Sequence, residues 1–162
     1  MTEIEKGGIV FGVDLDTARN YSKTHELCSC PCCRNYYAQV GERLPELAAF
    51  LREFGIDAAR PDEAMSVEND GRMDYIEVDY TVSGQIKTAK RDEIELGGLR
   101  ITAVDGFVSP NEQTGAYFTL SVTGIVLPWV LDEPFPKPIP WPAADGQKGL
   151  LGRIFGKRCR RS

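Results

Sequence analysis

Four of the five cysteines of this chain fall within six positions, in the stretch CSCPCC at residues 28–33, and His25 stands three residues ahead of it. Thiolate sulfur and neutral imidazole are the ligands that zinc takes, usually four of them in a tetrahedron. Cys30 and Cys33 have the two-residue spacer of a zinc knuckle, and Cys28 reaches the same point from the preceding turn. His25, the chain's one histidine, supplies the fourth ligand in this reading. A zinc set of Cys28, Cys30, Cys33 and His25 is therefore one expectation, with Cys32 left over. Strong zinc signatures carry a second, separated cysteine pair. Here the one cysteine outside the stretch is Cys159.

The same residues admit two other readings. Cys30-Pro31-Cys32-Cys33 is a C-P-x-C sequence at the start of a predicted helix, where backbone N–H groups and the helix dipole lower a thiol pKa. It is similar to the active-site motif of glutaredoxins. The likeness is local, because NYSKTHEL rather than an apolar strand precedes it and no βαβ pattern follows. The third reading is packing, with reduced cysteines acting as small apolar residues. Spacing alone leaves the three open. There is no H-E-x-x-H, no calcium loop and no P-loop, and any Cys-His or Ser-His-Asp arrangement would have to use His25. The expectation is a non-enzymatic protein, with a thiol-redox role for Cys30 and Cys33 as the alternative.

The elements around this stretch must position it. Residues 8–14, GIVFGVD, read as a short β-branched strand, and residues 15–29 as a polar loop. Pro31 suits the first turn of a helix running to about residue 40, with Gly41 at its end. A second helix starts at Leu44-Pro45 and presents Leu44, Leu47, Ala48, Leu51 and Phe54 at helical spacing, closed by Gly55. Residues 59–65 add one helical turn. Gly7-Gly8 and Gly97-Gly98 read as turns. In residues 73–84, Ile76, Val78, Tyr80 and Val82 alternate with Tyr75, Glu77, Asp79 and Thr81, predicting a strand with one buried face and one solvated acidic face. Residues 93–96, 99–108 and 116–127 are further strands, the last two joined through the turn-rich 109–115. Consecutive helices followed by consecutive strands predict an α+β fold: an antiparallel sheet with an N-terminal helical pair packed on one face.

Residues 1–127 form the expected single domain. Residues 128–146 read as a proline-rich extended strap, with prolines 134, 136, 138, 140 and 142 at every second position and Trp129, Phe135 and Trp141 laid on the domain. Residues 147–162 read as a basic amphipathic tail.

One segment resembles a known group. C28-x-C30-P-x-C33-R-N-Y36, followed by LPELAAFLREFGID and RPDE, is similar to small bacterial proteins of unassigned function that carry a C-x-C-P-x-C-x-N-aromatic motif before a helix. The likeness spans roughly residues 28–63. It implies that Cys28, Cys30 and Cys33 act as one set with Cys32 as an extra, and it implies no activity.

Charge narrows the partners. Five of the 19 basic residues lie in residues 153–162 with no acid among them, so the preceding residues hold 14 basic against 24 acidic. That body repels nucleic acid and fits a basic protein partner; the tail alone offers weak contact with a membrane surface. At 162 residues with 42% apolar composition the chain suits one globular domain, and no apolar run reaches the length of a membrane span. The start, MTEIEKGGIVFG, lacks a signal-peptide layout, so a cytoplasmic location with reduced thiols is expected.

Overall fold

The structure, a computed structural model, describes residues 1–106 and 111–137. Trp141, the prolines beyond residue 137 and the tail expected at 147–162 lie outside the described residues, as do residues 138–146 of the strap. Strand β1 (Thr2–Lys6) turns through Gly7-Gly8 into β2 (Ile9–Val13). Helices α1 (Leu15–Thr24), α2 (Pro31–Tyr37), α3 (Val40–Arg43) and α4 (Pro45–Glu53) follow. Strands β3 (Glu63–Asn69), β4 (Arg72–Ala89), β5 (Glu93–Leu96), β6 (Leu99–Asp105), β7 (Tyr117–Thr123) and β8 (Ile125–Pro128) complete the described chain.

The eight strands form one antiparallel sheet in the order β1-β2-β4-β7-β6-β5, with β3 and β8 both paired to β4. The fold is thus mostly antiparallel sheet. This corrects the α+β expectation of an N-terminal helical pair on one face. A strand hairpin precedes every helix, and the helices are short segments of 10, 7, 4 and 9 residues. The first expected helix breaks after Tyr37, and Gly41 lies inside α3 instead of ending it. Residues read as a polar loop become α1, because Asp14 caps it through the Thr17 N–H and Ala18, Tyr21 and Ser22 bury one narrow stripe. The helical turn expected at residues 59–65 is instead the lead into β3.

Strand β4, 18 residues long, is the spine. Its first half pairs with β3 on one edge and β8 on the other; its second half pairs with β7 and then β2. A bulge at Ile76 skips that residue in the register with β3, where Met65 faces Glu77 and Ser66 faces Tyr75. An extra residue reverses the side-chain alternation. Met73 and Tyr75 therefore share the buried face with Val78, Tyr80 and Val82, while Ile76 is left 44% exposed. The opposite face is less solvated than its composition predicts: Asp79 is buried, and the Ser121 hydroxyl donates to its carboxylate.

The buried cluster joins Phe11, Phe54 and Phe118 with α4 side chains Leu47, Phe50 and Leu51 and with Tyr36 of α2. Burial of these rings together with the aliphatic side chains around them removes apolar surface from water and stabilises the fold. Among the described residues no helix is long and apolar enough to cross a membrane.

Candidate metal centre

The cysteine stretch is set at the entry to α2. Cys30 is the N-cap residue in extended backbone, Pro31 occupies the first turn, and the Cys30 sulfur accepts a hydrogen bond from the Cys33 N–H at 3.4 Å. Proline at this position costs the helix no hydrogen bond, because the first N–H groups have no intrahelical partner. The N-cap and third helical positions face each other across the first turn, which brings the sulfurs of Cys30 and Cys33 together. Cys28, in the chain just before, completes the group: the Sγ atoms of Cys28, Cys30 and Cys33 all lie within 4.8 Å of one another. Cys33 is buried, and the other two are half-buried.

Three side chains, those of Tyr75, Arg34 and Asn35, tie this loop to the rest of the molecule. The Tyr75 hydroxyl donates to the Cys32 carbonyl at 2.8 Å. The Arg34 Nε donates to the Ser29 carbonyl at 2.9 Å, while its terminal nitrogens pair with the Glu133 carboxylate. Asn35 bridges to the chain after β8, donating to the Tyr75 hydroxyl and the Pro128 carbonyl and accepting from the Val130 N–H. Trp129 and Phe135 pack edge to face nearby, with ring centroids 5.6 Å apart, and the Trp129 indole donates to the Glu133 carbonyl. The loop is thus fixed by β4 beneath it and by the segment after β8 beside it.

Burial pushes the Cys33 thiol well up, and the adjacent Cys28 pushes it further; the Tyr37 side chain, hydrogen-bonded to Cys33, opposes this. Burial is also the first cause of the raised Tyr37 hydroxyl, with Cys33 adding to it. Bringing thiols together in an apolar setting disfavours the thiolates, and a bound cation reverses that preference. Cys28, Cys32 and Cys33 are free thiols, whereas Cys30 is disulfide-bonded. Ligation by all three clustered sulfurs therefore belongs to the form in which Cys30 is reduced.

Of the residues singled out in the sequence, Cys28, Cys30 and Cys33 come together and His25 does not join them. Its ring is buried and stacked on Tyr21 at 4.8 Å. Its Nδ1 lies 2.9 Å from the Tyr21 carbonyl and its Nε2 3.3 Å from that of Pro61. Cys32 stays outside the group; burial raises its thiol, and a hydrogen bond with Ser66 lowers it. Tyr75 was missed because strict alternation puts it on the solvated face. Arg34 and Glu133 stand 99 positions apart, a pairing that no local pattern signals. No family model, curated protein or solved structure matches this chain.

Proposed function

We propose that the chain is a non-enzymatic binding protein whose cysteine loop is held by a structural zinc ion on Cys28, Cys30 and Cys33. The observation that carries this reading is the mutual approach of three sulfurs within 4.8 Å. Zinc–sulfur bonds of about 2.3 Å in a tetrahedron set sulfurs roughly 3.8 Å apart, so closure on the ion asks for shifts of about 1 Å. The Cys33 N–H on the Cys30 sulfur supports it further, because an amide donor steadies thiolate charge and orients the ligand. A water or an added donor fills the fourth position. The reading requires a reducing compartment such as the cytoplasm, and the acidic balance of the body supports a basic protein partner.

The test is elemental analysis of protein purified under reducing conditions without a histidine tag, followed by melting with and without chelator. About one zinc per chain and a chelator-induced fall in Tm are expected. Cys28→Ser, Cys30→Ser and Cys33→Ser should each lose the metal, and Cys32→Ser should keep it. Equal loss in all four variants, or no metal in the wild type, sinks the assignment.

A second reading is thiol exchange at Cys30 and Cys33, whose sulfurs lie in the same cluster at the start of α2. Mild alkylation separates the two. A zinc-held loop stays inert until the metal is removed, whereas an exchanging pair reacts at once after reduction.

A further inference from the structure

We infer that the cleft between α1 and α4 binds a small organic phosphate. The cleft has a volume of about 420 Å³ and is floored by Ala48, Ile56 and Ala58. Three cations line it: Arg19 and Lys23, one helical turn apart on α1, and Arg52 on α4. The carboxylate in the lining, Asp57, already accepts from the Ala59 N–H at 2.9 Å. Lys23 and Arg52 form no ion pair among the described residues, and the exposed Arg19–Asp16 pair, at 3.5 Å, is of the weak kind. Ser22, buried within the lining, accepts from the Asp57 N–H at 3.0 Å and donates its own proton to no described group.

This concentration of positive charge runs against an acidic body. At physiological ionic strength charge is screened beyond about 8 Å, so an anion entering the cleft meets the local sign and not the net one. Helix ends account for part of the arrangement. Lys23 and Arg52 lie in the last turns of α1 and α4, where cations offset the negative end of the dipole. Arg19 does not, since it sits mid-helix with its stem packed over Gly55. Three donors around one concavity suit a multiply charged group, since phosphate oxygens accept several charge-assisted hydrogen bonds at once. The volume exceeds that of one phosphate and falls in the range of small-molecule sites, so the apolar floor is left for an organic portion.

Titration calorimetry of the full chain with pyrophosphate tests this, with sodium chloride at matched ionic strength as the control. Saturable binding is expected, weakened about tenfold or more by Lys23→Gln/Arg52→Gln and unchanged when Lys157, Arg158, Arg160 and Arg161 are replaced by Gln. Should the double variant not fold, Lys23→Gln alone is expected to weaken binding about threefold. No saturable binding up to roughly 10 mM overturns the proposal, as does loss on neutralising the tail with the cleft variant unaffected. A cleft variant that melts lower while the wild type binds nothing overturns it too, leaving the cations to the helix ends.

Discussion

The hydroxyl of Tyr75 stands between strand β4 and the cysteine loop, donating to the Cys32 carbonyl at 2.8 Å and accepting from the Asn35 amide at 3.1 Å. The first contact falls within the stretch that carries the clustered sulfurs, and the second lies two residues beyond it on α2. One buried side chain from the spine of the sheet thus sets the height of the loop above it.

Removing that hydroxyl tests whether the sheet positions the metal ligands. Tyr75→Phe strands the Cys32 carbonyl and costs about 1–3 kcal/mol of stability. Outer-shell partners of metal ligands carry roughly tenfold or more in affinity, so zinc binding should weaken by about that factor. A chelator competition assay reads the affinity, and urea unfolding of the metal-free protein reads the stability. Tyr36→Phe, which removes a buried hydroxyl away from the loop, is the control and should leave zinc affinity unchanged. Unaltered affinity in Tyr75→Phe would mean that the loop holds its own shape.

The cysteine set was legible because it depends on local spacing: an N-cap residue and the third helical position meet whatever the rest of the chain does. Pro31 likewise marked the start of α2 from local physics alone. Features set by the tertiary structure were not legible. The bulge at Ile76 inverts the periodicity that puts Tyr75 on the solvated face, and it arises from pairing with β3, whose first three residues fall in the expected helical turn. Helix α1 buries too narrow a stripe to announce itself. His25 looked like a ligand because it is the lone histidine beside the thiols. Its ring packs under the turn that ends at Pro61, a contact 36 positions away.

The buried hydroxyls of Tyr36 and Tyr80 lie 2.6 Å apart, and Tyr80 also donates to the Ala58 carbonyl at 2.7 Å. Each hydroxyl has one proton. Tyr80 spends its proton on Ala58, so Tyr36 must donate to Tyr80. The two deletions are therefore unequal. Tyr80→Phe leaves both a carbonyl and a hydroxyl unsatisfied and should cost about 3 kcal/mol, against about 1 kcal/mol for Tyr36→Phe. The double variant should cost less than the sum. Urea unfolding of the three variants decides it, and equal single costs would refute the proton assignment.

Asp14 predicts a pH dependence. Its carboxylate accepts from the Thr17 N–H at 3.1 Å and from the Thr17 hydroxyl at 2.8 Å. The backbone hydrogen bond, followed by the hydroxyl, holds its carboxyl below the ordinary value of 3.8. A depressed folded-state pKa means that the unfolded chain takes up the proton first as pH falls. The cap's contribution is present above pH ~4 and is lost as pH drops through the folded pKa. Asp14→Asn keeps an acceptor at the cap but removes the charge. Its Tm should lie closer to that of the wild type at pH 3 than at pH 6. A constant Tm difference across that range would show that the charge contributes nothing.

Two glycines that sit nearly opposite each other across β2 and β4 should respond very differently to alanine. Gly84, paired with Val13, has a φ of +144°, and a Cβ there would stand 2.0 Å from the Gly12 carbonyl oxygen. Backbone cannot retreat from that contact without breaking the β2–β4 ladder, and the conformation is itself one that L-residues avoid. At Gly12 the nearest atom to an added Cβ is the Lys87 Cε at 2.8 Å, the far end of a flexible side chain that can swing away. Gly12→Ala should therefore change stability by no more than about 1 kcal/mol, helped by the lower entropy of alanine in the unfolded chain. Gly84→Ala should lose about 4 kcal/mol or more, enough to leave the protein unfolded or insoluble. Soluble yield and urea midpoints of the two variants make the comparison. A folded Gly84→Ala with a near-native midpoint would mean that β2 can slide along β4 and that the hairpin is not locked to the spine.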